Sequence, residues 1–351
     1  MSRAPLRVAV LGAGTVGREV IRALVEQRPE LVAADGAPFE LVGIVVRDID
    51  RARAAGLPAG LLTDAPAHLV AAPDTDVIVE LMGGDEPAHT LIAAALAAGK
   101  SVVTANKHVI AHHGAELEAT ARRTGAALRF EAAVGGGIPV LGPLATELAA
   151  NRITAVRGIV NGTTNYILSA MADEGRDYAE VLAAAQGAGY AEADPSGDVE
   201  GHDALNKLVI LARLAFGVWL DPATVVIAAV DGPGAGRPGI TGIGAADIAA
   251  AAAAGRTIKL VADARRAADG SIAAAVIPVA VPSDSALART GGVLNRIEVE
   301  AEPLGMVAFS GPGAGGAATS SAVLGDLIAV ARELGSTWAG LPPATTVGTE
   351  R

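Results

Sequence analysis

Asp203 and Lys207 stand four residues apart in Gly201-His202-Asp203-Ala204-Leu205-Asn206-Lys207, a spacing that places both on one face of a helix. As a solvated pair they would contribute only about 0.3–0.5 kcal/mol. The loop upstream, Glu192-Ala193-Asp194-Pro195-Ser196-Gly197-Asp198, brings three more carboxylates close in sequence. Acidic groups around one amine keep it protonated, the state a general acid needs when it donates to a developing alkoxide. The same loop suits a substrate ammonium. Two plainer uses stay open: Asp198 as N-cap of the following helix, and Glu192 as a solvated charge. Lys107, in Thr104-Ala105-Asn106-Lys107, follows a buried-looking strand, and in an open parallel sheet the strand C-termini line the ligand crevice. Of the 27 cationic residues only Lys100, Lys107, Lys207 and Lys259 are lysine. Guanidinium stays protonated, so in such a chain a lysine marks either a position that needs a proton-exchanging amine or an accident of packing.

A nucleotide site is written at the other end. Val8-Ala9-Val10-Leu11-Gly12-Ala13-Gly14-Thr15-Val16-Gly17 reads as a strand, then G-x-G-x-x-G opening a helix. Gly12 permits the tight turn, Gly14 lets the backbone reach a pyrophosphate, and Gly17 allows close helix–strand packing. The donors and positive dipole of the helix N-terminus, from Thr15 and Val16 on, face the phosphates. After the second strand come Arg47 and Asp48. Arg47 suits the 2′-phosphate of NADP, whereas Asp48 leaves NAD open. Leu81-Met82-Gly83-Gly84 ends a later strand as a backbone loop able to lie along the ribose and nicotinamide.

These residues need elements to hold them. Strands are expected at 7–11, 40–46, 77–81, 101–104 and 128–132, and helices at 15–27 and 88–98, an alternation that argues for a parallel sheet covered on both faces. A glycine run at 135–137 changes the character of the chain. A helix over about 140–150 follows, then a strand at 153–160 leading into Asn161-Gly162-Thr163-Thr164-Asn165. Helices are expected to about 188, over 201–216, and across the alanine run 249–254. Strand-like runs within 256–310 imply an α+β second part, and a last helix spans about 319–334. The Gly/Pro-rich stretch 231–242 reads as a flexible surface loop, and the tail from Gly335 as loosely ordered.

Composition bounds the rest. With 351 residues, 51% hydrophobic and 19% charged, the chain can bury a large core. A mean hydropathy of +0.42 owes much to alanine, and no run approaches the eighteen or so apolar residues of a membrane span. The absence of cysteine excludes disulfides, thiolate zinc sites and cysteine nucleophiles. A formal charge of -11 argues against nucleic acid as a partner. No signal segment is evident, so a cytoplasmic protein is expected. His108 and His112 have i,i+4 spacing without further ligands in sequence, and a polar helix face is the better reading. His202 reads as a neighbour of the site.

Several segments together resemble homoserine dehydrogenase: the fingerprint at 10–17, Thr104 to Lys107, Phe130 to Val140, Gly158 to Leu168, Gly189 to Pro195, Asp198 to Ala204 with Lys207, and Gly313 to Gly316 with Ala322 to Asp326. The resemblance runs over roughly residues 5 to 335. It implies an α/β fold, a Rossmann-type doubly wound parallel sheet plus an α+β catalytic and dimerisation domain. The domains would be 1–130, completed by a helix at about 318–340, and 131–317, with 341–351 a tail. It implies interconversion of L-aspartate 4-semialdehyde and L-homoserine with NADP or NAD, toward threonine, methionine and isoleucine. In that reading Lys207 donates the proton, Lys107 is a second active-site lysine, and Asp203 contacts substrate or orients the lysine. Glu192, Asp198 and Thr163 contact substrate, Asn161 lies near the nicotinamide, and Gly315 belongs to a loop closing over the cofactor. A monovalent cation, usually sodium, is implied at Glu131 and the carbonyls of Val134, Gly136 and Ile138, as is a homodimer. Many members carry a C-terminal regulatory ACT domain; this sequence stops at Arg351, so feedback inhibition by threonine is not expected. The rival readings are another small amino-acid or semialdehyde dehydrogenase and a non-catalytic nucleotide sensor, against which the intact Lys207 and acidic loop argue.

Overall fold

The computed structural model describes residues 4–27, 31, 38–229 and 231–349, and divides into two compact units. The first comprises Met1–Thr146 with Ala314–Pro343, the second Glu147–Gly313 with Ala344–Arg351.

In the first unit, β1 (Leu6–Leu11), β2 (Phe39–Val45), β3 (Leu62–Thr63), β4 (Val77–Glu80), β5 (Ser101–Thr104) and β6 (Leu128–Arg129) form one parallel sheet in the order β3-β2-β1-β4-β5-β6. The order reverses between β1 and β4, and such a switch point opens a crevice at the strand C-termini. Val8 to Leu11 and Val77 to Glu80 are fully buried, as expected of strands covered on both faces. The covering helices include α1 (Thr15–Val25), α2 (Ile49–Ala54), α3 (Pro66–Ala71), α4 (Ala88–Ala97) and α5 (Lys107–Thr124). The C-terminal helix Gly316–Ala331 returns to this unit, where Val323, Leu327 and Ala331 join Val20, Ile21 and Leu24 in one core. Each such Val, Leu or Ile side chain contributes about 1.5–3 kcal/mol on burial.

The first compact unit runs on past the expected edge at 130, to Thr146. Glu131 begins a 3-10 turn, its N–H donates to Asp326 (2.8 Å), and its carboxylate accepts the N–H groups of Val140, Leu141 and Gly142 at 2.7–2.8 Å, where α6 (Leu141–Ala145) begins. Those bonds hold 131–146 to the first unit and move its edge to Thr146. Burial pushes the Asp326 carboxyl up to about 6 against the pull of Arg129, which bonds it at 2.9 Å. Residues 336–338, expected to be loosely ordered, are held in place. Ser336 Oγ and Thr337 Oγ1 accept the N–H groups of Leu128 and Phe130, and Trp338 packs on the Phe130 ring.

The second unit is an antiparallel sheet of β7 (Arg152–Ile159), β9 (Arg256–Arg266), β10 (Ile272–Pro282), β11 (Leu294–Glu302) and β12 (Gly305–Pro312), in the order β10-β9-β7-β11-β12. Its helices include α7 (Gly162–Glu174), α8 (Tyr178–Gly187), α9 (Ser196–Val199), α10 (His202–Phe216) and α11 (Ala245–Ala253). Beyond the sheet, β8 (Trp219–Leu220) pairs in parallel with β13 (Thr346–Val347), so residues 344–349 are part of this unit.

Lys259, on β9, is buried and spends its three donors on protein: Asn165 Oδ1 (2.8 Å), Ser169 Oγ (3.0 Å) and the Thr290 carbonyl (2.8 Å). Burial lowers its pKa to about 8, with the charge of Asp173 opposing. The folded value lies below the free-lysine 10.5, so between about 8 and 10.5 the unfolded chain binds more protons and stability rises with pH. Measured by urea unfolding, wild type is therefore expected to gain on Lys259→Met by up to about 3 kcal/mol across that range. A constant difference would contradict the buried cation.

Candidate active site

The fingerprint has the geometry its residue types require. Gly12 sits at φ +106, where a Cβ would stand 2.7 Å from the Leu81 carbonyl, and a Cβ on Gly17 would meet the Gly12 carbonyl at 2.1 Å. Gly14, the N-cap of α1, is different: a Cβ there would meet nothing within 4 Å. Its smallness serves no protein contact and leaves room for a pyrophosphate at the N–H groups of Thr15 and Val16. Gly14→Ala is thus expected to leave the melting temperature unchanged and to weaken NADPH binding about tenfold or more, read by fluorescence titration. Equal losses in both would make Gly14 merely structural.

Around this turn, other groups fix the loop ends. Glu80, buried at the end of β4, accepts the N–H groups of Met82 (2.7 Å) and Gly83 (3.2 Å) and the Thr104 hydroxyl (2.6 Å); burial pushes its carboxyl up while these bonds oppose. Asn106 caps α5 by accepting the Val109 N–H (3.2 Å) and donates to the Gly84 carbonyl (2.7 Å), so Lys107 begins α5 beside the 82–84 loop. Gly315 is the N-cap of the C-terminal helix at φ +110, and a Cβ on Gly316 would stand 3.1 Å from Thr15 Cγ2, so this turn abuts the start of α1. Arg47 is exposed beyond β2, whereas Asp48 caps α2 by accepting the Arg51 N–H at 2.9 Å.

The second unit holds the buried charge. Lys207 and Asp203 lie on the same face of α10, each with about a tenth of its side chain exposed, and bond at 2.7 Å. Lys207 Nζ also donates to the Val160 carbonyl at 2.6 Å. Asn161 is the hub. Its amide donates to Asp198 Oδ1 (2.7 Å) and Asp203 Oδ2 (2.8 Å), and its Oδ1 accepts the Thr164 N–H as N-cap of α7. The Thr163 hydroxyl lies 2.9 Å from Asp198 Oδ2 and 2.8 Å from the Tyr190 carbonyl, so it donates to one of them at a time.

The acidic loop does not surround Lys207 as its sequence suggests. Only Asp198 reaches the cluster, through Asn161. Asp194 turns to Ser196, whose hydroxyl and then N–H (3.1 Å) hold its carboxyl below the usual range, and Glu192 is exposed. Asp198 is not the N-cap of α10 either; that position is Gly201, at φ +92. The segment 231–242 is no free loop: Ile240 is buried, its N–H donates to the Val199 carbonyl at 2.8 Å, and a Cβ on Gly239 would fall 2.0 Å from that oxygen. It wedges under α9 and so sets the position of Asp198. Sequence reading missed Glu80 and the linking role of Asn161, whose signal, a polar residue at a strand end, is common to many turns. His202 is half-exposed, 3.4 Å from Glu200.

The switch-point sheet and glycine turn of the first unit are those of a dinucleotide-binding domain, the class that NAD(P)-dependent oxidoreductases carry. Residues 12–131 match the family model for the homoserine dehydrogenase NAD-binding domain, and 139–328 that for homoserine dehydrogenase. A homoserine dehydrogenase of Corynebacterium glutamicum is 46% identical over 349 residues, covering 96% of this chain and 76% of that protein. The crystal structure of the Thiobacillus denitrificans enzyme superposes with a TM-score of 0.89 at 38% identity, over 99% of this chain and 80% of that one. A hyperthermophilic archaeal homoserine dehydrogenase solved in complex with NADPH gives 0.75 at 28% identity, over 93% of this chain and 97% of that one. The chain belongs to the homoserine dehydrogenase family. Among the described residues no helix is long and apolar enough to cross a membrane.

Proposed function

We propose that this chain interconverts L-aspartate 4-semialdehyde and L-homoserine, with NADPH as preferred reductant and Lys207 as proton donor to the carbonyl oxygen. The Lys207 amine carries the reading. An ammonium has three donors, Val160 and Asp203 take two, and the third has no protein acceptor among the described residues. Lys259, with all three donors spent on protein, is the structural counterpart.

When bound, the nicotinamide supplies the hydride. Lys207 gives its free N–H proton to the oxygen as the carbonyl carbon is reduced, the bonding pair returning to nitrogen, and recovers a proton in the reverse reaction. Asp203 and the Val160 carbonyl hold the amine in place, and Asn161 joins Asp203 to Asp198. Asp198 and Thr163 bind polar groups of the substrate, Glu192 is assigned its ammonium, and Lys107 is the second active-site lysine. Gly12, Gly14, Gly17, Met82, Gly83 and Gly315 shape the nucleotide pocket.

Arg47 supports NADP over NAD, because Asp48, the acid that would hold a ribose hydroxyl, is engaged as a helix cap. The monovalent cation is assigned to Glu131 and the carbonyls of Val134, Gly136 and Ile138, oxygen donors of the kind a hard cation takes, with the Glu131 carboxylate also accepting the N–H groups of Val140, Leu141 and Gly142. There, Glu131→Gln should abolish any stimulation of turnover by sodium over tetramethylammonium. An apolar hollow of about 410 Å³ on the second unit, lined by Val226, Val261, Ile277 and Val279 among others, supports a homodimer, to be checked by sedimentation.

The test of function is NADPH oxidation by the purified chain with L-aspartate 4-semialdehyde and with propanal. Turnover of the semialdehyde alone is expected. Turnover of propanal at the same efficiency would remove the substrate assignment.

A further inference from the structure

We propose that His89, His113 and Glu116 form a binding site for one divalent transition-metal ion of the zinc class, within the first unit and separate from the residues assigned to catalysis. His89 lies in the first turn of α4, and His113 and Glu116, three apart on α5, share a face. One ligand atom from each lies within 4.8 Å of the others. Ligands of a tetrahedral ion, at about 2.0–2.2 Å from it, stand some 3.4 Å apart, so small rotations of the exposed Glu116 and the half-buried imidazoles complete the set.

The outer nitrogens carry the argument further. His89 presents Nε2 to Glu116 Oε1, with its Nδ1 3.2 Å from Glu86 Oε1. His113 mirrors this: Nε2 is 2.9 Å from Asp85 Oδ1, and Nδ1 is on the Glu116 side at 3.9 Å. A carboxylate on the second nitrogen fixes the tautomer of a metal-bound imidazole and raises its basicity. The two rings stack face to face at 3.8 Å, so one imidazole turns out of the stack for His89 Nε2 and His113 Nδ1 to share an ion. Two imidazole nitrogens and one carboxylate oxygen favour zinc, copper or nickel over magnesium or calcium, and the partly exposed position leaves a coordination site for water. His108 and His112, the pair that sequence spacing singles out, stack on each other, with His108 Nε2 3.8 Å from Asp85. They border the site and are not its ligands.

The full chain, stripped with chelator, would be titrated with zinc chloride by calorimetry, and with cobalt(II) for its visible spectrum. Expected is saturable binding of one ion per chain and a cobalt spectrum of low coordination number. His89→Ala and Glu116→Gln should each weaken binding tenfold or more, and Asp85→Asn about tenfold, while the double variant His108→Ala/His112→Ala retains it. Absence of saturable zinc binding by the wild-type chain would overturn the proposal. So would loss in the His108/His112 variant with retention in His89→Ala. Both readouts are binding, so their failure is distinct from a failure of the proposed reaction.

Discussion

Lys207→Met is expected to lower kcat for aldehyde reduction roughly a hundred- to ten-thousand-fold, the contribution of a positioned general acid. NADPH affinity should be unchanged, since the nucleotide fingerprint belongs to the other unit. Lys207→Arg should be nearly as poor, because guanidinium does not release its proton near neutrality. Removing the lysine leaves Asp203 buried without its cation, which costs about 3–5 kcal/mol, so melting temperatures must accompany the kinetics. Asp203→Asn separates the two effects: it keeps shape and burial but removes the charge that holds the amine. Groups that act as a unit are not additive, so Asp203→Asn added to Lys207→Met should cost little more activity than Lys207→Met alone. Multiplicative losses would mean that the two residues act independently.

Arg47→Asp is expected to weaken NADPH binding by about ten- to a hundredfold, the worth of charge-assisted bonds to a phosphate, while NADH binding is unchanged or improved. Asp48 should not substitute in wild type, because its carboxylate already accepts the Arg51 N–H at the start of α2. Steady-state KM values for both nucleotides check this. An unaltered ratio would place the 2′-phosphate elsewhere.

The nucleotide end of the molecule was legible because each glycine there answers a short-range steric demand that the sequence states in order. The Asp203–Lys207 pair was legible for the same reason, since helical periodicity alone brings it together. What failed was judgement of proximity across turns. Glu192, Asp194 and Asp198 are close in sequence, but the turn into α9 sends Asp194 to Ser196 and leaves only Asp198 to meet Asn161. That the first compact unit reaches Thr146 was not legible, because the Glu131 carboxylate bonds the backbone N–H groups of residues 140–142, partners that leave no mark in residue type. The tail read as loosely ordered from its Gly, Pro and Thr content, yet at its start Ser336 and Thr337 satisfy the backbone of Leu128 and Phe130. The Gly/Pro-rich 231–242 run misled similarly: Gly239 is small because the Val199 carbonyl comes too close for anything larger. His89 and His113 meet only through how two helices pack, which spacing along the sequence does not show.

The central claim is that Lys207 acts in the chemical step, and single-turnover kinetics test it most directly. Enzyme saturated with NADPH is mixed with L-aspartate 4-semialdehyde, and the loss of reduced-nucleotide absorbance is followed for wild type and Lys207→Met. The account predicts that the hydride-transfer phase itself slows by at least a hundredfold in the variant. A transfer phase at the wild-type rate, with only later turnover impaired, would contradict it.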